Sequence, residues 1–259
     1  MKKIFVLFTV LILITPSIAY SEIVGRDVKY KDGATELQGY IAYDSSIKGK
    51  RPGVLIVHEW TGINDYIKDR ARRFASLGYV AFAADIYGRD YRPETLEDAE
   101  RVSYRFKKNV KLLRRRLNAG LKRLKSFPQV NPGLIVAVGY SFGGMAVLEL
   151  ARTGVPLKGV ISVYGSLYPD VKSSSNIRTR VLVLHGGDDP FVGSDKLLRL
   201  WRELQSSGVQ WEIHIYGGAV HSFTNPESGD DPSVGVAYNP YADRHSWKMI
   251  KEFLYEVFR

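Results

Sequence analysis

The residues best suited to covalent chemistry lie in Gly139-Tyr140-Ser141-Phe142-Gly143-Gly144. A serine with glycine two residues away on either side can sit in a turn too tight for neighbouring side chains. Before it runs Leu134-Ile135-Val136-Ala137-Val138, a short apolar stretch rich in β-branched residues. After it, Met145 to Arg152 reads as helix. Strand, Gly-x-Ser-x-Gly and helix are the context of a nucleophile elbow. The Ser141 hydroxyl is then expected to stand above a sheet at the positive end of a helix. The competing reading is a tight turn with an idle serine, and the flanks favour the elbow.

A serine hydroxyl at its ordinary pKa is a weak nucleophile and needs a base. Five histidines are available: His58, His185, His214, His221 and His245. His214 falls mid-strand and His245 on the last helix, where structural or surface roles are the default. His58 and His185 end strands and can stand near a site. His221 follows a strand and Gly217-Gly218 and opens a loop, where catalytic residues commonly sit. The third partner is expected to be a carboxylate after another strand. Val181 to His185 runs into Gly186-Gly187-Asp188-Asp189-Pro190, so two aspartates leave that strand end together. Either can fix one imidazole tautomer and stabilise the imidazolium. Serine, then aspartate, then histidine is the chain order of α/β-hydrolases. The oxyanion formed on attack needs fixed donors. The N–H of Phe142, directly after the nucleophile, is one; the other is expected near Glu59 or Trp60, after the strand ending at His58.

These positions need a scaffold. Gly53 to His58 and Tyr79 to Ala84 are apolar runs suited to strands buried on both faces, and Asn64 can cap a helix through Ile67, Ala71, Phe74 and Leu77 between them. That alternation is the βαβ signature of a mostly parallel sheet. Upstream, Ile23 to Tyr30 and Thr35 to Ala42 flank Lys31-Asp32-Gly33 and read as two antiparallel strands. Three more strands are expected in Leu157–Tyr164, Arg180–His185 and Val209–Tyr216. Helices are expected from Ser194 or Asp195 and over Asp243–Phe258. Val102, Phe106, Val110, Leu113, Leu117, Leu121 and Leu124 recur as one apolar stripe, giving one helix within Glu94–Ser126. No linker or internal repeat divides the pattern, so residues 21–259 are expected to form a single domain with helices on both faces of the sheet.

Residues 1–20 read differently. Lys2 and Lys3 precede an apolar run from Ile4 to Ile14, then Pro16 and Ser17-Ile18-Ala19. That is the pattern of a secretory signal peptide cleaved near Ala19. The run falls short of the ~20 residues a spanning helix needs, so no stable membrane insertion is expected after cleavage, and the mature chain is expected in a periplasm or outside the cell. The chain has no cysteine, which excludes disulfides, a thiolate metal site and a thiol nucleophile. Net charge is +10 over 259 residues. Between Arg101 and Lys125 lie eleven basic residues and no acidic one. A solvated helix face is the simpler reading; a surface for phosphate or anionic membrane is the sharper one. No nucleic-acid motif accompanies the charge.

Several stretches taken together resemble the dienelactone hydrolase family: Val54 to Asn64, Ala84-Asp85-Ile86-Tyr87-Gly88-Arg89, Gly139 to Gly144, Gly186 to Val192, and His221-Ser222-Phe223. The resemblance spans nearly all of the expected mature chain and implies an α/β-hydrolase fold acting on a carboxylic ester or lactone. It assigns Asp189 rather than Asp188 to the histidine and places the second oxyanion donor on the N–H of Trp60. It also makes Glu59 a site residue near nucleophile and substrate, and Arg89 a binder of a substrate carboxylate. On the residues alone, a surface ion pair is an equal reading of Glu59 and Arg89. Two departures stand out. The best-known members carry cysteine where this chain has Ser141, so His221 is required here as a true general base. A second carboxylate-binding arginine is replaced by Asn225, which favours a neutral or larger ester. No metal, nucleotide or organic cofactor is implied, and the sequence leaves oligomeric state open. A peptidase or acyltransferase on the same three residues is the nearest alternative. A non-catalytic binder of anionic surfaces using residues 101–125 is the alternative of a different class.

Overall fold

A computed structural model of the chain describes residues 22–167 and 176–259. The signal peptide expected over residues 1–20 lies outside them. In chain order the elements are β1 (Ile23–Asp32), β2 (Thr35–Asp44), β3 (Arg51–Val57), α1 (Asp65–Ser76), β4 (Val80–Ala84), α2 (Leu96–Lys108) and α3 (Val110–Lys125). They continue as β5 (Val130–Tyr140), α4 (Phe142–Arg152), β6 (Gly159–Val163), β7 (Arg180–Gly186), α5 (Ser194–Ser207), β8 (Trp211–Tyr216) and α6 (Pro240–Phe258).

The strands form one eight-stranded sheet in the order β1-β2-β4-β3-β5-β6-β7-β8. From β4 through β8 every pairing is parallel, while β1 and β2 form an antiparallel hairpin whose β2 pairs antiparallel with β4. Both faces are covered, so each central strand is apolar on both sides. Val54 and Ile56 of β3 pack with Ile67, Phe74, Ile250 and Phe253 of α1 and α6. Leu55 and Val57, pointing the other way, pack with Leu113, Leu117, Met145 and Leu200 of α3, α4 and α5. Period-two alternation along the strand assigns each side chain to its face. Each fully buried side chain of this size contributes about 1.5–3 kcal/mol to burial.

The helix starts follow from capping. Asn64 Oδ1 accepts from the Ile67 N–H at 3.1 Å, and Asn239 Oδ1 accepts from Tyr241 and Ala242. With Pro240 at its first position, α6 begins three residues before the expected Asp243. The larger correction lies between Glu94 and Ser126. The single helix expected there is two helices, α2 and α3, divided at Asn109 (φ −113°, ψ 75°). Asn109 Oδ1 accepts from the Leu112 N–H at 3.0 Å, a local bond that competes with helix continuation. The spacing of three and four carries on across the break, although within α2 the buried residues are Ala99, Ser103 and Phe106 and Val102 is only half-buried.

The basic residues here are partly consumed within the molecule. Arg114 pairs with Glu149 of α4 at 3.0 Å, and Arg115 and Arg116 converge on Asp32 at the tip of the β1–β2 hairpin. Glu149 also pairs with Arg152, which binds Glu203 of α5, so one ion network ties α3, α4 and α5 together. Among the described residues, no helix is long and apolar enough to cross a membrane.

Candidate active site

Ser141 occupies the turn between β5 and α4 at φ +52°, ψ −114°, a conformation that costs a residue with a Cβ about 1–3 kcal/mol. The strain is tolerated because the chain is squeezed on all sides. A methyl on Gly139 would overlap the Gly143 carbonyl, and one on Gly143 would overlap the Val57 carbonyl. The backbone of Ser141 is locked as well: its N–H donates to Val163 O at 3.0 Å, and its carbonyl accepts from the Ser166 N–H at 3.0 Å.

His221 comes from the segment after β8, and its Nε2 lies 2.8 Å from Ser141 Oγ. Its Nδ1 lies 2.7 Å from Asp189 Oδ2. A carboxylate accepts only, so Nδ1 carries the proton and Nε2 presents its lone pair to the serine hydroxyl. Asp189 is itself aimed: Oδ1 accepts from the Phe191 N–H at 2.9 Å, and its side chain is fully buried. Asp188, next to it, is exposed. Of the two aspartates that spacing leaves open, Asp189 meets the imidazole. Of the other histidines, His58, His214 and His245 make contacts elsewhere, while His185 is buried near Asp189 and His221. His58 Nδ1 donates to Glu59 O at 2.6 Å while Nε2 accepts from the Ile86 N–H at 3.3 Å. Burial lowers the pKa of both His58 and His185. His214 sits beside Glu212, and His245 stacks on Tyr241.

The N–H groups of Phe142 and Trp60 have no hydrogen-bond acceptor among the described residues. Both loops are braced. The Tyr87 hydroxyl donates to Trp60 O at 2.8 Å, and the Tyr87 ring packs against Phe142 and His58. Glu59 is buried under the histidine loop, where its Oε1 accepts from Ser222 Oγ at 3.1 Å and its Oε2 from Asn225 Nδ2 at 3.4 Å. Loss of solvation raises the Glu59 pKa, and His221, Ser222, Tyr164 and Arg70 partly offset that rise. It is therefore no surface ion pair. Arg89 is one: it is 42% exposed at the side chain and binds Glu36 Oε2 at 3.1 Å.

A cavity of about 190 Å³ is lined by Thr61, Asn64, Tyr87, Tyr91, Arg92 and Pro93 among others, and by none of Trp60, Ser141, Asp189 and His221. Among the described residues no group of three or more histidine and acidic side chains is arranged to hold a metal ion. Sequence reasoning missed Phe191, whose half-exposed ring stands edge-on to His221 at 5.4 Å. It also missed Tyr164 (φ +36°), which meets the imidazole edge-on at 5.4 Å. Nothing in the spacing marks either ring. The loop that His221 opens carries local structure. It contains short 3₁₀ turns at Pro226–Ser228 and Pro232–Val234 and returns to pair Val236 with His221.

A strained serine between strand and helix, on a mostly parallel sheet with a histidine and an aspartate arriving from later strand ends, defines an α/β-hydrolase. The dienelactone hydrolase family model matches residues 37–258, and the chain belongs to that family. It is accordingly a carboxylic ester hydrolase. A solved structure named m3DLH superposes with a TM-score of 0.87 at 34% identity, covering 92% of this chain and 99% of that one. A dienelactone hydrolase-like promiscuous phosphotriesterase from metagenomic libraries gives a TM-score of 0.86 at 36% identity over 92% and 99%. Protein usf of Aquifex pyrophilus is 25% identical over 236 residues, which is 90% of this chain and 98% of usf.

Proposed function

We propose that this chain is an exported serine esterase that cleaves a neutral carboxylic ester or lactone through an acyl-Ser141 intermediate. The observation that carries the reading is the linear arrangement of Ser141 Oγ, the His221 ring and Asp189, with contacts of 2.8 Å and 2.7 Å. His221 Nε2 takes the hydroxyl proton as Oγ attacks the ester carbonyl. The carbonyl oxygen becomes an oxyanion between the N–H groups of Phe142 and Trp60. Each such donor is worth about 3–4 kcal/mol to the transition state. Collapse breaks the bond to the alkoxy oxygen, which leaves with the proton held on His221. Water, deprotonated by His221, then attacks the acyl-serine, and the acid leaves as Ser141 regains its proton. Asp189 keeps one tautomer throughout and stabilises the imidazolium.

Two contacts support a neutral substrate. Arg89 is engaged by Glu36, and Asn225 by Glu59, so neither offers a free cation for a substrate carboxylate. The half-exposed Phe191 ring beside His221 adds an apolar wall. The phosphotriesterase named among the similar structures supports a second substrate class, a neutral phosphotriester whose phosphorus the Ser141 hydroxyl attacks, expelling an alkoxy group that leaves with the proton held on His221. Export rests on the leader pattern of residues 1–20.

Ser141→Ala tests the reading. Hydrolysis of p-nitrophenyl esters and labelling by a fluorophosphonate probe are both expected to vanish while the variant stays folded. Unchanged ester turnover by folded Ser141→Ala refutes the mechanism. Detecting the mature chain in whole-cell fractions tests export: a chain retained uncleaved in the cytoplasm refutes it.

A further inference from the structure

The apolar stripe of α1 contains an intruder. Ile67, Ala71 and Phe74 are buried, and so is Arg70, at 2% exposure. A buried guanidinium is costly even when paired, and an apolar side chain of the same length would cover Tyr66 and Tyr140 without that cost. What an apolar side chain cannot do is donate hydrogen bonds. Arg70 Nη2 donates to the backbone carbonyl of Thr224, and the same nitrogen contacts Asp243 Oδ1 at 3.2 Å. Tyr238 donates to the other oxygen of Asp243 at 3.2 Å. One side chain therefore joins α1, the start of α6 and the segment carrying His221.

Thr224 is gripped a second time through its side chain. Its hydroxyl lies 2.5 Å from Tyr66 Oη and 3.3 Å from Tyr164 Oη, and the two phenolic oxygens are 2.8 Å apart. Tyr66, Tyr164 and Thr224 are all buried. Between Thr224 and His221 stands Ser222 in the left-handed region at φ +62°, a conformation uncommon for a residue with a Cβ. Ser222 is held by Glu59 from one side, and Thr224 by Arg70 and Tyr66 from below. Shifting that segment would move the imidazole from its 2.8 Å contact with Ser141.

We propose that Arg70 is a positioning residue for His221, acting with Tyr66 through Thr224 to hold the register of the segment that presents the imidazole to Ser141. This rests on the serine-esterase reading above and adds to it residues that do not touch substrate. Helix α1 thereby contributes to catalysis without carrying a reacting atom.

The test uses the full chain with Arg70→Met, Tyr66→Phe and Ser141→Ala side by side on p-nitrophenyl butyrate, with folded fraction measured by near-ultraviolet circular dichroism. For Arg70→Met, kcat per folded molecule is expected to fall roughly 10- to 100-fold, the scale of a misplacement of about 1 Å. KM is expected to stay within about twofold. The downfield proton resonance of His221 Nδ1–H is expected to shift or broaden. Tyr66→Phe keeps the ring and removes one hydroxyl, so a smaller loss of about 3- to 10-fold in kcat is expected. A folded Arg70→Met with parental kcat and an unchanged resonance overturns the assignment. So does a loss that merely tracks the unfolded fraction. Should Arg70→Met not fold, Tyr66→Phe decides, and parental kcat there overturns it. Inactive Ser141→Ala beside fully active Tyr66→Phe overturns the positioning role alone, whereas active Ser141→Ala removes the esterase reading and this role with it.

Discussion

The elbow and the histidine segment deliver partner atoms to within 2.8 Å of each other, yet they are built in opposite ways. The elbow is placed by backbone sterics. Gly139, Gly143 and Gly144 let β5, α4 and the β3 terminus approach so closely that no other path is open. The segment from Gly217 to Asn239 has little regular structure, and apart from the close approach of Gly186 to the Ala219 and Val220 carbonyls and of Gly235 to Pro190 its path is not set by sterics. It is placed by side chains reaching from elsewhere: Glu59 to Ser222 and Asn225, Arg70 and Tyr66 to Thr224, Asp189 to His221 itself. A nucleophile can be fixed by shape alone because the strain is local. A base on an irregular segment needs polar contacts, which are directional and leave it adjustable.

Breaking the base side chemically gives the largest effect. His221→Ala is expected to lower kcat about 10⁴- to 10⁶-fold with the fold intact, measured on a chromogenic ester. Asp189→Asn keeps shape but permits the wrong tautomer, and roughly a 10⁴-fold loss is expected; a loss under tenfold would mean the aspartate does not orient the ring. Breaking the elbow sterically acts on stability instead. Gly143→Ala pushes a methyl into the Val57 and His58 carbonyls, and a loss of about 3 kcal/mol or more is expected in denaturant unfolding. The same substitution at Gly217, where a Cβ meets nothing, is expected to change stability by less than about 1 kcal/mol. Equal losses at the two glycines would show that the elbow is not held by a steric squeeze.

Smaller effects sharpen it. Desolvation raises the Glu59 pKa, so the folded chain holds that proton more tightly than the unfolded chain. The stability this supplies is fully present below the unfolded carboxyl's pKa and is lost as pH rises through the raised value. Glu59→Gln removes the titration. Its melting temperature relative to the parent is therefore expected to climb as pH rises from the unfolded carboxyl's pKa through the raised value. A flat difference would show that burial does not govern this carboxyl. Least of all is expected from Arg89→Ala. The Arg89–Glu36 pair is exposed, so stability should change by about 0–1 kcal/mol. Activity on neutral esters should hold within about twofold; a selective loss on anionic esters would show Arg89 leaving Glu36 for substrate.

Much of the scaffold was legible before any coordinates. The buried strands declare themselves by continuous apolar runs, and the elbow occupies fewer than twenty consecutive residues, so its whole context can be read in one place. The long helix misread between Glu94 and Ser126 shows where periodicity fails: Asn109 breaks the helix through a bond to its own neighbour while the apolar spacing carries on. Spacing also left Asp188 and Asp189 equivalent, because adjacent residues at a strand end share the same local signals.

The sequence by itself determined the alternation of strand and helix, the strained serine turn and the short menu of histidines and aspartates able to serve it, all of which follow from steric and apolar patterns among near neighbours. The family resemblance picked Asp189 and put Glu59 near the nucleophile; only the tertiary structure decided which groups Glu59 holds, that Arg89 turns to Glu36, and that Arg70 reaches Thr224. Glu59 and Ser222 stand 163 residues apart, and Arg70 and Thr224 stand 154 apart. Contacts of that range depend on how whole elements stack around the sheet, and no local pattern encodes the direction in which a polar side chain will find its partner.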